Sequence, residues 1–161
     1  MKNIAFIFLI SLGFCSITRG QDFSLDELSK MRSLNFPEFE SKAHDKGYEM
    51  DHLEYNEKCS VFRKGDNVLS YCHYVDNGYS YHTHVAIKLE TPDKEIYEKL
   101  KADAEGSMTY YKTRLRRYAH EHYMEHVYVN DAITVHLYDI TFDDADKPYY
   151  EIEVRSIYAP Y

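Results

Sequence analysis

The apolar side chains recur at two spacings, and the spacing changes three times along the chain. Leu25, Leu28 and Met31 fall at helical intervals behind Ser24 and Glu27, whose separation is that of a capping box, so the pattern predicts a short helix there. A second helix is predicted from near Asn35, with Pro37 in its first turn, Phe36, Phe39 and Ala43 on one face and Gly47 as its stop. Over residues 48–90 the texture turns β-branched and aromatic, with turn signals at 64–67 and 76–78, which predicts three or four antiparallel strands. In 79–89, Tyr81, Thr83, Val85, Ile87 and Leu89 share one face, and Ser80, His82, His84 and Lys88 share the other, with Glu90 continuing it. Thr91 and Pro92 then read as the cap and first-turn proline of a helix over 93–105, with Ile96, Leu100 and Ala104 inward and Gly106 as its end. Four more strands are predicted at 108–116, 118–129, 133–142 and 149–158, with turns at Asn130-Asp131 and at Asp143-Asp144-Ala145-Asp146. In the last of these, Tyr150, Ile152 and Val154 alternate with Tyr149, Glu151, Glu153 and Arg155, which predicts one buried and one wet face.

These elements make an α+β domain, an antiparallel sheet with helices packed on one face. The order is helix plus four-strand meander, twice, over 35–90 and 91–158, and the two glycines that stop the helices, Gly47 and Gly106, mark the same point in each half. A tandem repeat gives this order; so do two copies of an ordinary α+β pattern without duplication. The layout is similar to that of the β-lactamase inhibitory proteins, which are exported tandems of the same kind. No motif carries the similarity, and it transfers no residue.

Residues 1–20 have the order of a cleaved signal peptide: Lys2, an apolar run from Ile4 to Cys15, then Thr18-Arg19-Gly20. Residues 21–161 then form a single domain that is secreted or periplasmic, with no integral membrane segment. Acidic side chains number 27 against 19 basic, giving a net charge of -8. Loss of Lys2 and Arg19 with the leader moves this to -10, a balance that argues against nucleic acid as a partner. Two cysteines remain. A two-residue turn at Gly65-Asp66 pairs Lys64 with Asn67, Phe62 with Leu69 and Cys59 with Cys72, the last at a non-hydrogen-bonded position where strands approach most closely. That predicts a disulfide; two buried thiols or a metal pair are the alternatives.

Chemistry is sparser. The chain has no G-x-S-x-G, no glycine-rich phosphate loop and no calcium-loop spacing. Its histidines fall as His82 and His84 in one predicted strand and His120, His122 and His126 in another, so each group shares a face and adjacent strands would bring imidazoles together around Zn or Cu. Alternating polar residues on a solvated strand give the same pattern. Lys112 to Arg117 is a basic run that reads as a charged strand face. With 17 Tyr and no Trp, the chain is also tyrosine-rich, and Tyr71, Tyr74, Tyr79, Tyr118, Tyr128 and Tyr149 are the candidate recognition residues. The leading expectation is a non-enzymatic exported protein-binding module, of inhibitor or immunity type, that offers an acidic, tyrosine-rich sheet surface to a basic protein. The alternative is a His-rich metal-binding protein or small metallohydrolase.

Overall fold

The computed structural model describes residues 23–54, 59–75, 83–118, 121–142 and 149–157. The leader, Tyr79, His82, His120 and the Asp143–Asp146 turn lie outside the described residues.

Both early helices start where side chains can satisfy the free N–H groups of a first turn. Ser24 and Glu27 form the expected capping box ahead of α1 (Leu25–Met31), and Asn35 and Glu38 form a second one ahead of α2 (Phe36–Asp45). Gly47, at φ +82°, ends α2 in the left-handed region that a side chain resists. The third helix, α3 (Lys94–Ser107), departs from the expectation at both ends. Its cap is Asp93, whose side chain accepts from the Glu95 N–H, while Thr91 closes the preceding strand and its hydroxyl accepts from the Asp93 N–H. At the other end the helix runs through Gly106, which lacks the positive φ of Gly47, so the two glycines are not equivalent stops. Its inward face is Tyr97, Leu100 and Ala104, with Ile96 only partly buried.

The strands are β1 (Glu49–Glu54), β2 (Cys59–Lys64), β3 (Asn67–Val75), β4 (Thr83–Thr91), β5 (Thr109–Tyr118), β6 (Glu121–Val129), β7 (Ile133–Phe142) and β8 (Tyr149–Ser156). They form one antiparallel sheet in the order β1-β2-β3-β4-β8-β7-β6-β5. Two meanders thus meet through their last strands, and the seam runs from Ala86 opposite Arg155 to Thr91 opposite Tyr150. The expected β2–β3 register holds throughout, with Gly65 at φ +59° in the turn and Cys59 bonded to Cys72 across a Cα separation of 4.1 Å.

All three helices pack on one face. Phe39 meets Phe62 and Tyr71, Tyr97 stacks on Tyr150, and Leu69, Ile87, Leu89, Val135, Leu137, Ile152 and Val154 complete a core whose members are almost wholly buried. Burying such side chains contributes about 1.5 to 3 kcal/mol each. On the opposite face a smaller cluster, Cys59, Val61, Val68, Cys72 and Ala86, surrounds the disulfide.

Candidate functional site

Every strand alternates, so each residue pointing into the core leaves its neighbours on the helix-free face. The register lines these up across the sheet. Glu90, Glu151, Tyr138 and Glu125 form one row over β4, β8, β7 and β6, and Lys88, Glu153, His136 and Val127 form the next. In a third row Arg155 lies opposite Ala86, which itself pairs with Cys72 of the disulfide. Four carboxylates therefore share a small area with Lys88, Arg155 and one imidazole, and the rows run on to Arg63 beyond Val68 on one side and to Arg114 and Lys112 of β5 on the other.

This area is not the wet face that strand alternation predicts. Glu153 is 1% exposed and Glu125 4%, and each is held by partners on the same face. Arg155 donates to Glu153; His136 Nδ1 lies 2.8 Å from Glu125 Oε1, and the Tyr138 hydroxyl donates to that same oxygen at 3.4 Å. Tyr149 donates to Glu90 in the row above. For Glu153 the physical reason is position, since β8 is one of the two central strands and a side chain there is flanked on both sides; Glu125, on β6, is covered by His136 and Tyr138 of β7.

Burial decides the electrostatics. The Glu151 carboxyl is pushed up to about 7, chiefly by desolvation; Lys88 opposes this, and Glu153 and Glu90 reinforce it. Desolvation pushes His136 down, so its imidazole resists protonation even beside Glu125. Burial likewise raises the Tyr138 and Tyr149 phenols, which stay protonated and act as donors. A carboxyl raised on folding stabilises the protein below its unfolded value, and that contribution is lost as pH rises through its folded value. Glu151 therefore withdraws stability between about pH 4.5 and about 7. Glu151→Gln should raise unfolding stability at pH 8 by about 1 to 2 kcal/mol and leave it nearly unchanged at pH 4.5, read by urea unfolding at the two pH values. Equal effects at both would contradict the assignment.

The expected recognition tyrosines divide. Tyr71 and Tyr128 are corrected to core residues: Tyr71 is 3% exposed and donates to the Leu34 carbonyl at 3.1 Å, and Tyr128 is 4% exposed and donates to Glu105 at 3.1 Å. Both point to the helix side, and burial with the Glu105 bond pushes the Tyr128 phenol up to about 12. Tyr149 is half-buried on the helix-free face, where Tyr123 and Tyr138 join it in an edge-to-face pair 5.8 Å apart. Tyr74 and Tyr118 lie in β3 and β5, and Tyr79 lies outside the described residues.

The histidines are also separated. His84 is in β4 and His122 and His126 are in β6, with β8 and β7 between, roughly 14 Å of sheet. Four residues along one strand put His122 and His126 about 13 Å apart, too far to share an ion bound at about 2 Å. His126 instead bonds Thr113 through Nδ1 at 2.8 Å, and burial, helped by Lys101, lowers its affinity for a proton. Among the described residues no three His, Cys, Asp or Glu side chains are placed to hold a metal ion. His136, the imidazole most integrated with charge, was not among the expected ligands. The signal was present, since alternation in 133–142 sets Thr134, His136 and Tyr138 against Val135 and Leu137.

No family model matches the chain, and neither the curated proteins nor the solved structures offer a match. The likeness of layout to the β-lactamase inhibitory proteins accordingly brings no residue role to this site. What the arrangement can do follows from its groups. It sets carboxylates and their basic partners beside aromatic rings, and it exchanges one proton close to neutral pH.

Proposed function

We propose that this chain is an exported, non-enzymatic protein-binding module, of inhibitor or immunity kind, whose helix-free sheet face engages a basic partner. One observation carries the reading: Glu90, Glu125, Glu151 and Glu153 gather at the middle of that face with Lys88 and Arg155 among them, Tyr123, Tyr138 and Tyr149 flank them, and Arg63, Lys112 and Arg114 lie further out on the same face, on β2 and β5. The partly open Glu90, Glu151 and tyrosines make contact, and the buried Glu125 and Glu153 hold His136, Tyr138 and Arg155 in place beneath them. Eight strands at about 4.8 Å spacing span roughly 35 Å, and five or six residues along them about 20 Å, giving on the order of 700 Å², close to one partner's share of a standard interface. Export is supported by the order of residues 1–20 and by the Cys59–Cys72 disulfide, which an oxidising compartment sustains. No helix among the described residues is long and apolar enough to cross a membrane.

The test is a photo-crosslinking amino acid at position 123 on the sheet face and at Ser41, exposed on α2, as the control. A single saturable adduct from position 123, competed by unlabelled protein and absent from position 41, supports the reading; adducts from position 41 alone overturn it. With the partner in hand, affinity should fall roughly fivefold from pH 8 to pH 6, because Glu151 takes up a proton near 7 and the face loses a charge. Titration calorimetry at the two pH values reads this, and a flat affinity would remove the electrostatic part of the account.

A further inference from the structure

The other conspicuous surface is an edge. β5 is the last strand of the sheet order, so among the described residues one side of its backbone carries no ladder. A bulge falls between Tyr110 and Lys112, and from Lys112 to Tyr118 the strand then runs in unbroken register with β6. Within that run Lys112, Arg114, Arg116 and Arg117 concentrate positive charge in a chain of net -8.

Charges on an edge are a common defence against unwanted pairing. Defence does not account for the apolar side chains beside them. Tyr110 is 54% exposed, Tyr111 62% and Leu115 57%, and they are three of the five large hydrophobics that the described residues leave open. Tyrosine and arginine together are the composition of interface hot spots. Lys112 lies over the Tyr111 ring at 4.6 Å. Next to the strand runs a groove of about 430 Å³ under α3, lined by Lys101, Met108, Tyr110, Thr113 and His126 together with Glu105 and the Tyr128 that bonds it, so the groove itself suits the apolar side chains of an incoming strand and not its acidic ones. Its floor is preorganised: the Tyr110 hydroxyl donates to Thr113 Oγ1, which bonds His126.

We propose that the β5 edge takes an acidic extended segment of a partner protein as a ninth strand, with alternate side chains of that segment entering the groove beside α3. Backbone pairing supplies affinity, Lys112, Arg114 and Arg117 select acidic residues, and Tyr110 and Leu115 cover apolar ones. A second copy is the poorer occupant, because an antiparallel β5–β5 pair would set the basic run of one chain against that of the other. The site is the backbone edge of β5; its Lys112 and Arg114 border the acidic centre of the sheet face, Arg114 lying opposite Glu125, and the pairing is tested at the edge alone.

The probe is a synthetic Glu-Val-Glu-Val-Glu-Val-Glu peptide, with Lys-Val-Lys-Val-Lys-Val-Lys as its control, titrated into isotope-labelled, oxidised protein and followed by NMR. The expected result is saturable shifts centred on β5, with slowed solvent exchange at alternate amides between residues 112 and 118. The Lys peptide should give none, and Arg114→Glu combined with Arg117→Glu, two exposed positions, should weaken binding at least tenfold while the rest of the spectrum stays unchanged. Absence of saturation, equal shifts from both peptides, or shifts on β4 and β8 would overturn the proposal. So would shifts from a heparin fragment that equal the peptide's without slowed exchange, the mark of a polyanion patch. Dimerisation through β5 in sedimentation without peptide would assign the edge to a second copy and overturn it too.

Discussion

Replacing Ile152 by Ala should cost about 2 to 5 kcal/mol of unfolding free energy, the range for removing a large aliphatic side chain from a filled core. Ile152 is wholly buried in β8, with Leu89 of β4 on one side and Leu137 of β7 on the other. It therefore sits in the seam where the two meanders meet, and the cavity left behind opens onto both. The chain has no Trp, so its 17 tyrosines and the far-ultraviolet signal are the reporters for urea unfolding. Both should show a single transition that moves to lower urea in the variant, with unchanged slope. A loss below about 1 kcal/mol would contradict the assignment of the seam to the core. Separate transitions for the two probes would mean that the halves unfold independently.

Removing the disulfide by replacing Cys59 and Cys72 together with Ala should cost about 3 kcal/mol, the chain-entropy expectation for a closed loop of about 15 residues. The sequence separation here is 13, and both side chains are buried beside Val61, Val68 and Ala86, so the double variant keeps the surface free of new polar groups. A melting temperature lower by about 10 °C is expected. Reductant should bring the native protein down to the variant's value and leave the variant unmoved. Equal melting of oxidised native protein and variant would show that the tight Gly65-Asp66 turn alone holds the hairpin.

Much of this fold was legible because local chemistry and global placement agree. Ser24 with Glu27, Pro37 behind Asn35, and Gly47 each act within one turn of chain, and each does what its side chain or lack of one requires. The β2–β3 register, and with it the disulfide, followed from a two-residue turn, again a local rule. α3 shows where local rules compete. Thr91 and Pro92 have the residue types of a helix start, but Thr91 pairs with Tyr150 in the sheet, and the cap passes to Asp93. Gly106 has the residue type of a helix stop, but the hydrogen bond from the Met108 N–H to Ala104 carries the helix past it.

The candidate site was less legible, for one physical reason. Alternation tells which residues share a face of a strand and not the rank of that strand in the sheet. Glu151, Glu153 and Arg155 were correctly set opposite Tyr150, Ile152 and Val154, yet β8 proved central, so its polar side is crowded and Glu153 is buried. The same ignorance of strand order let His84 and the β6 histidines seem neighbours, and it gave Tyr71 and Tyr128 to the surface when they face helices. Nothing within its own strand marks His136, which stands alone there and gains its meaning only from Glu125 on the next one.

Carboxyl footprinting by mass spectrometry, of the protein alone and in complex with its crosslinked partner, locates the binding surface. The account predicts that Glu90 and Glu151 lose reactivity in the complex, while Glu38 on α2 and Glu95 on α3 label at the same rate as before. Protection of Glu38 and Glu95 with Glu90 and Glu151 unchanged would put the partner on the helices and contradict the sheet face as the binding surface.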